Sequence, residues 1–131
     1  MRGIFEERGS WRVDQKAWMS RITESAQQAG TWRPWFEDII ATLADILARR
    51  DQAQELFEEE GGQVLVEHTN KAGATNLEQN PCLRLINDLN RDALDYWRDL
   101  GLTPAGLKRI DEQAMKQRKK SALAEALKGI G

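Results

Sequence analysis

Apolar residues recur at helical spacing along most of this chain, and the clearest run lies between Asn80 and Ile110. Ile86, Leu89, Ala93, Trp97 and Leu100 follow one another every three or four residues, drawing one apolar stripe along a helix face. Asn80-Pro81 marks its start: the asparagine caps, and proline takes the first helical position, where a missing N–H loses no partner. Gly101 supplies a left-handed C-terminal cap, and Thr103-Pro104 repeats the cap-then-proline start for a following helix. Two helices joined by a tight corner are predicted.

Upstream, the pattern predicts a helix from a cap at Asp14 to about Ala29, stopped by Gly30, with residues 1–12 loosely ordered. Trp11, Trp18, Ile22 and Ala26 share one of its faces. Thr31 is read as the cap of a long helix, with Pro34 in its first turn, running to about Glu60, roughly 40 Å at about 1.5 Å per residue. Its stripe is Trp35, Phe36, Ile39, Leu43, Ile46 and Leu47, resumed by Leu56 and Phe57. The polar stretch from Ala48 to Glu55 predicts a bend or a protrusion.

Gly61-Gly62 ends that helix. Val64 and Val66 alternate with Gln63, Leu65 and Glu67, enough for one short extended segment but not for an independent sheet. Its partner is expected either from another subunit or from residues near Asn76. Residues 68–79 are polar and read as an exposed loop. The last helix starts at Pro104 and heads towards Lys128, broken or frayed near Lys116-Gln117-Arg118-Lys119-Lys120, with Leu123 and Leu127 as a weak apolar face. The expected fold is all-α: an antiparallel hairpin of helices 34–60 and 81–100, an N-terminal helix, one extended segment and a C-terminal helix. The organisation is residues 1–30 as an N-terminal helical segment, 31–110 as a helical oligomerisation core and 111–131 as a basic C-terminal helix or tail.

The order of these features resembles the phage terminase small subunits that end in a G-L-T-P corner. The residues that carry the resemblance are Glu58-Glu59-Glu60-Gly61-Gly62, Val64-Leu65-Val66, Asn80-Pro81, Tyr96-Trp97 and Gly101-Leu102-Thr103-Pro104, across roughly residues 31–112. The resemblance implies a partner in viral DNA packaging: a homo-oligomer, usually a ring of roughly eight to ten copies, closed because head-to-tail contacts must close or grow into filaments. It also implies that double-stranded viral DNA and a separate large subunit, which holds the ATPase and nuclease, are the partners.

Composition narrows the class. With 131 residues, 40% apolar and 31% charged, the chain has the make-up of one soluble helical domain. No window holds enough consecutive apolar residues to span a membrane, and MRGIFEERGSW lacks the apolar core of a secretory signal. Cys82 is the only cysteine, so no internal disulfide forms; a reducing compartment, here the host cytoplasm, is expected. The net charge of −2 hides an asymmetry: residues 1–36 carry +2, 37–67 carry −7, 68–100 carry −1 and 101–131 carry +4. Nucleic acid is therefore expected at the ends of the chain, and the acidic middle repels phosphate.

Catalytic signatures are missing. No Gly-rich loop precedes a Lys-Ser or Lys-Thr pair, so no phosphate cradle for an ATPase is encoded. His68 is the single histidine and Cys82 is far from it in sequence, so neither a metal site nor an activated thiol is expected; no cofactor is called for. Glu58-Glu59-Glu60 read as a solvated helix end, yet carboxylates at a C-terminus oppose the helix dipole. That cost leaves room for a second role, repelling DNA or pairing with basic residues of a neighbouring subunit.

Five tryptophans are many for a small helical domain. Packing in the core is their ordinary use, but aromatics are also enriched at the centres of interfaces. Trp11, Trp18, Trp32, Trp35 and Phe36 are therefore the candidates for contacts between subunits. For phosphate, the first candidate is the basic tail: Lys108, Arg109, Lys116, Arg118, Lys119 and Lys120. The second is the N-terminal helix with Arg12, Lys16 and Arg21, which lacks a clear recognition helix. The rival class is a small helical adaptor with no DNA contact, which the same helices would serve.

Overall fold

The computed structural model describes the backbone of residues 4–129 and the side chains of residues 14–129. Among the described residues the order is α1 (Ile4–Ala29), a 3-10 turn (Pro34–Phe36), α2 (Glu37–Glu59), β1 (Leu65–Thr69), β2 (Thr75–Gln79), α3 (Pro81–Asp99) and α4 (Pro104–Lys128). The fold is mostly helical with a small two-stranded sheet.

Helix α1 starts earlier than its apolar pattern does. Asp14 lies well inside it and caps nothing, and residues 4–12 are helical rather than loose. They contain no proline and are rich in Glu and Arg, so the helix propagates past the first apolar-periodic residue. At its other end Gly30, with φ +74°, donates to Gln27 O at 3.1 Å while Thr31 N donates to Ala26 O at 3.0 Å. This is a Schellman closure. The same pair of bonds closes α2 at Gly61 and Gly62, onto Glu58 O and Phe57 O, and α3 at Gly101 and Leu102, onto Arg98 O and Trp97 O.

Thr31 is not the cap of the long helix. It is buried, and its Oγ1 donates back to Ala26 O at 3.4 Å. Pro34 holds Arg33 extended, and the 3-10 turn leads into α2 without a side-chain cap. Glu37 and Asp38 in the first turn of α2 meet the positive end of its dipole instead.

Helix α2 is the centre of the molecule and packs against both α1 and α3. Ile22 of α1, Phe36, Ile40, Leu43, Ala44 and Leu47, and Ala93 and Leu100 around α3 form the core. The α2–α3 pair runs antiparallel: Cys82 Sγ donates to Ala53 O at 3.7 Å, and Arg50 Nη1 donates to Asn90 Oδ1 at 3.3 Å. The polar stretch 48–55 stays helical and does not protrude. Ala48 and Ala53 are buried there, and their small side chains let neighbouring helices approach.

The extended region departs furthest from expectation. Residues 68–79 are not a loop: β1 and β2 form an antiparallel hairpin in which Leu65 faces Gln79 and His68 faces Asn76. Of the two partners open to the first strand, the one near Asn76 is used. The short connection Asn70–Ala74 turns back through a left-handed glycine, Gly73. Gly73, at φ +82°, donates to Asn70 O at 3.0 Å, and Asn70 Oδ1 accepts from Ala72 N and Ala74 N, both at 3.0 Å.

Asn80 ties the hairpin to α3. Its Oδ1 accepts from Cys82 N at 2.9 Å as the expected cap, its Nδ2 donates to Gln63 O at 2.9 Å, and its backbone N donates to Val64 O at 2.8 Å. The buried side of α3 is the stripe expected from sequence, with Ile86 and Ala93 buried and Leu89 and Trp97 half-buried.

Candidate nucleic-acid interface

The direction of α4 is set at its first turn. Thr103 Oγ1 accepts from Gly106 N at 3.0 Å, and Pro104 fills the first position. Gly106 lies so close to α3 that an added Cβ would collide with Arg98 O and come within 2.9 Å of Arg98 Cα. Gly101 is crowded as well: a Cβ there would meet Thr31 Cγ2 at 2.8 Å and Ile110 Cδ1 at 2.5 Å. The end of α1, the corner and the start of α4 therefore converge. Beyond Ile110 every described residue of α4 is exposed, and the helix runs unbroken through the basic stretch rather than fraying there.

Helical geometry then sorts the charges. At about 100° per residue, Lys108, Arg109, Lys116, Lys119 and Lys120 fall within an arc of about 120°, and Arg118 falls outside it. Leu107 and Ile110, the half-buried residues that anchor α4, lie on the opposite side. The basic face thus points away from the protomer. All six cations are exposed, and none lies within ion-pair distance of a carboxylate among the described residues. Glu112 shares that arc and weakens it by one charge.

The N-terminal candidates form a separate set. Lys16 and Arg21 are exposed on α1, but the Arg21 guanidinium stacks 4.4 Å from the Trp18 ring centroid. The Arg12 and Trp11 side chains lie outside the described residues. No ion pair or cation–π contact joins this set to α4 among the described residues.

The aromatic candidates divide by burial. Phe36 is 5% exposed and covers the protomer's own core, so it offers nothing to a neighbour. Trp32 and Trp18 are half-buried against that core. Trp18 also carries a polar network that sequence reasoning did not find. Its Nε1 donates to Asp51 Oδ2 at 2.8 Å, Asp51 Oδ1 accepts from Arg50 Nη2 at 3.0 Å, and Arg50 reaches Asn90, linking α1, α2 and α3. Trp35 is different: it stands 69% exposed, its ring edge-on to Phe36 at 4.4 Å.

No group of three or more His, Cys, Asp or Glu is placed to hold a metal ion among the described residues. His68 is exposed on β1, and Cys82 is half-buried in the first turn of α3. No described helix is long and apolar enough to cross a membrane.

Among known families, residues 15–117 match the phage terminase small subunit. The chain belongs to that family. The match begins inside α1 and ends inside α4, so Lys108, Arg109 and Lys116 fall within it and Arg118, Lys119 and Lys120 beyond it. Comparison with curated proteins and with solved structures found no match. As a terminase small subunit, the protein has its role in phage genome packaging.

Proposed function

We propose that this small subunit is a non-catalytic, ring-forming component that holds double-stranded viral DNA through phosphate contacts and presents it to the large subunit. In the ring, copies of α4 bring their basic faces together, and the large subunit contributes the ATPase and nuclease. The observation that carries this reading is the unpaired cationic face of α4, turned away from the protomer. One copy is a modest patch. Roughly eight to ten copies make a continuous basic annulus, from which DNA releases counterions on binding.

Assembly is supported by apolar surface left uncovered in one copy. Trp35, Leu56, Leu85, Leu123 and Leu127 are all exposed, and assembly would cover them. Lys16 and Arg21 on α1, with Arg12 beyond the described side chains, are a second phosphate-contacting set.

The deciding experiment combines native mass spectrometry with a titration of duplex DNA at two salt concentrations. The proposal expects an oligomer, and an affinity that falls steeply as salt rises. A chain that stays monomeric at tens of micromolar and ignores duplex DNA in dilute buffer refutes it, and leaves an adaptor without DNA contact as the reading.

A further inference from the structure

Between the C-terminal half of α2 and the N-terminal half of α3 lies an open groove of about 520 Å³ with an apolar floor of Ala53, Leu56, Cys82, Leu85 and Leu89, closed at one end by Gln52 and by Arg49, which is paired with Asp45 at 3.3 Å. Leu56 is 47% and Leu85 50% exposed, so the apolar floor is open to water. Its α2 wall continues into Glu59 and Glu60, one turn beyond Leu56, and Glu55 lies beside it; all three are exposed. None of these carboxylates is in an ion pair among the described residues. The groove extends about 10 Å along each helix, room for roughly two turns of a third helix at about 5.4 Å per turn.

A helix of matching character is present in every copy. Leu123 and Leu127 are one turn apart on α4, each 62% exposed, and Lys120 and Lys128 bracket them. Every described residue of this segment is exposed, because α4 leaves the body after Ile110. Its own groove is therefore filled, if at all, by another molecule.

We infer that the distal turns of α4 from one copy dock in the α2–α3 groove of the next copy, an inference that rests on the self-assembly proposed above. Leu123 and Leu127 enter the apolar floor, and Lys120 and Lys128 meet the Glu55, Glu59 and Glu60 rim. Charge complementarity selects this occupant: the rim presents Glu55, Glu59 and Glu60, and the docking turns present Lys120 and Lys128, with Glu125 on the helix face opposite Leu123 and Leu127. It also gives the acidic end of α2 a partner that offsets its clash with the helix dipole. The contact is head-to-tail, so it closes into a ring when the rotation per copy allows. Lys108, Arg109, Lys116, Arg118 and Lys119 precede the docking turns and stay free for phosphate.

The test uses two double variants of the full chain, one in the tail (Leu123→Asp with Leu127→Asp) and one in the groove (Leu56→Asp with Leu85→Asp). All four residues are at least half-exposed or nearly so, and circular dichroism checks that each variant folds. Native mass spectrometry is expected to find each variant alone as a 14.9 kDa monomer. An equimolar mixture is expected to give a dimer and nothing larger, since one intact groove and one intact tail remain between the two. A tail variant that keeps the wild-type oligomer mass overturns the inference and leaves the ring proposal standing. So does a tail variant that assembles normally but loses co-purification with the large subunit, which would then be the occupant. A wild-type chain that never assembles overturns both, whereas loss of DNA affinity with docking intact overturns only the phosphate reading.

Discussion

Replacing Gly106 by alanine sets two familiar effects against each other. In an exposed helix, glycine to alanine stabilises by up to about 1 kcal/mol, because alanine has the higher helix propensity. At this position the new Cβ would meet Arg98 Cα at 2.9 Å and collide with Arg98 O. Carbon–carbon contacts settle near 3.5–4.0 Å, so α4 would have to back away from α3 by roughly 0.6–1 Å. Forcing a methyl into a packed contact costs about 1–3 kcal/mol. The clash wins, with a net loss of about 1–2 kcal/mol. For a domain of this size that lowers the melting temperature by about 3–8 °C.

The assay is a thermal melt followed by circular dichroism, at matched protein concentration because assembly shifts the midpoint. Gly129→Ala is the control: its φ is −76° and the nearest atom to an added Cβ is Ala126 O at 3.6 Å, ordinary contact. That variant should melt within about 1 °C of the parent, since the site offers neither strain nor packing. A Gly106→Ala protein that melts as high as the parent, or higher, would refute the close approach of α4 to α3.

Three further outcomes follow from the geometry. Changing Lys108, Lys116 and Lys119 together to glutamine should flatten the salt dependence of DNA binding by about 0.9 for each phosphate no longer neutralised; an unchanged slope would move the DNA-binding surface to α1. Asn80→Ala removes the cap of α3 and the donor to Gln63 O, for a loss of about 1–3 kcal/mol in urea unfolding and faster amide exchange at the hairpin root. Trp18→Phe keeps most of the ring but deletes the bond to Asp51, so its urea midpoint should drop by the equivalent of about 1 kcal/mol with an unchanged slope.

The helices were legible where an apolar stripe met marked ends. Asn80-Pro81 and Thr103-Pro104 cap α3 and α4 as their residue types require, and Gly30, Gly61 and Gly101 stop the preceding helices. The hairpin was not legible, for a physical reason. Neither of its faces packs on the core, so β2 reads Thr-Asn-Leu-Glu-Gln, with no alternation to betray a strand. The usable signal lay in the turn, where Asn70 and Gly73 have the residue types of a short hairpin loop.

Thr31 misled because a threonine before a proline resembles a cap, whereas here it closes the helix behind it. Of the candidate site, the cations of α4 were legible as a run, but their common outward face depended on the helix staying unbroken. The Trp18–Asp51–Arg50–Asn90 chain left no trace in spacing, since its members come from three helices. Gly106 did leave one: an isolated glycine inside a helical pattern often marks a packing contact.

Because α4 is gripped only near its start, it behaves as a lever. Its 25 residues span about 37 Å at about 1.5 Å per residue, so a tilt of about 10° at the Gly106 fulcrum swings the far tip by about 6 Å. In the ring proposed above, small adjustments at one turn would thus let identical copies accommodate circles of different circumference without refolding anything.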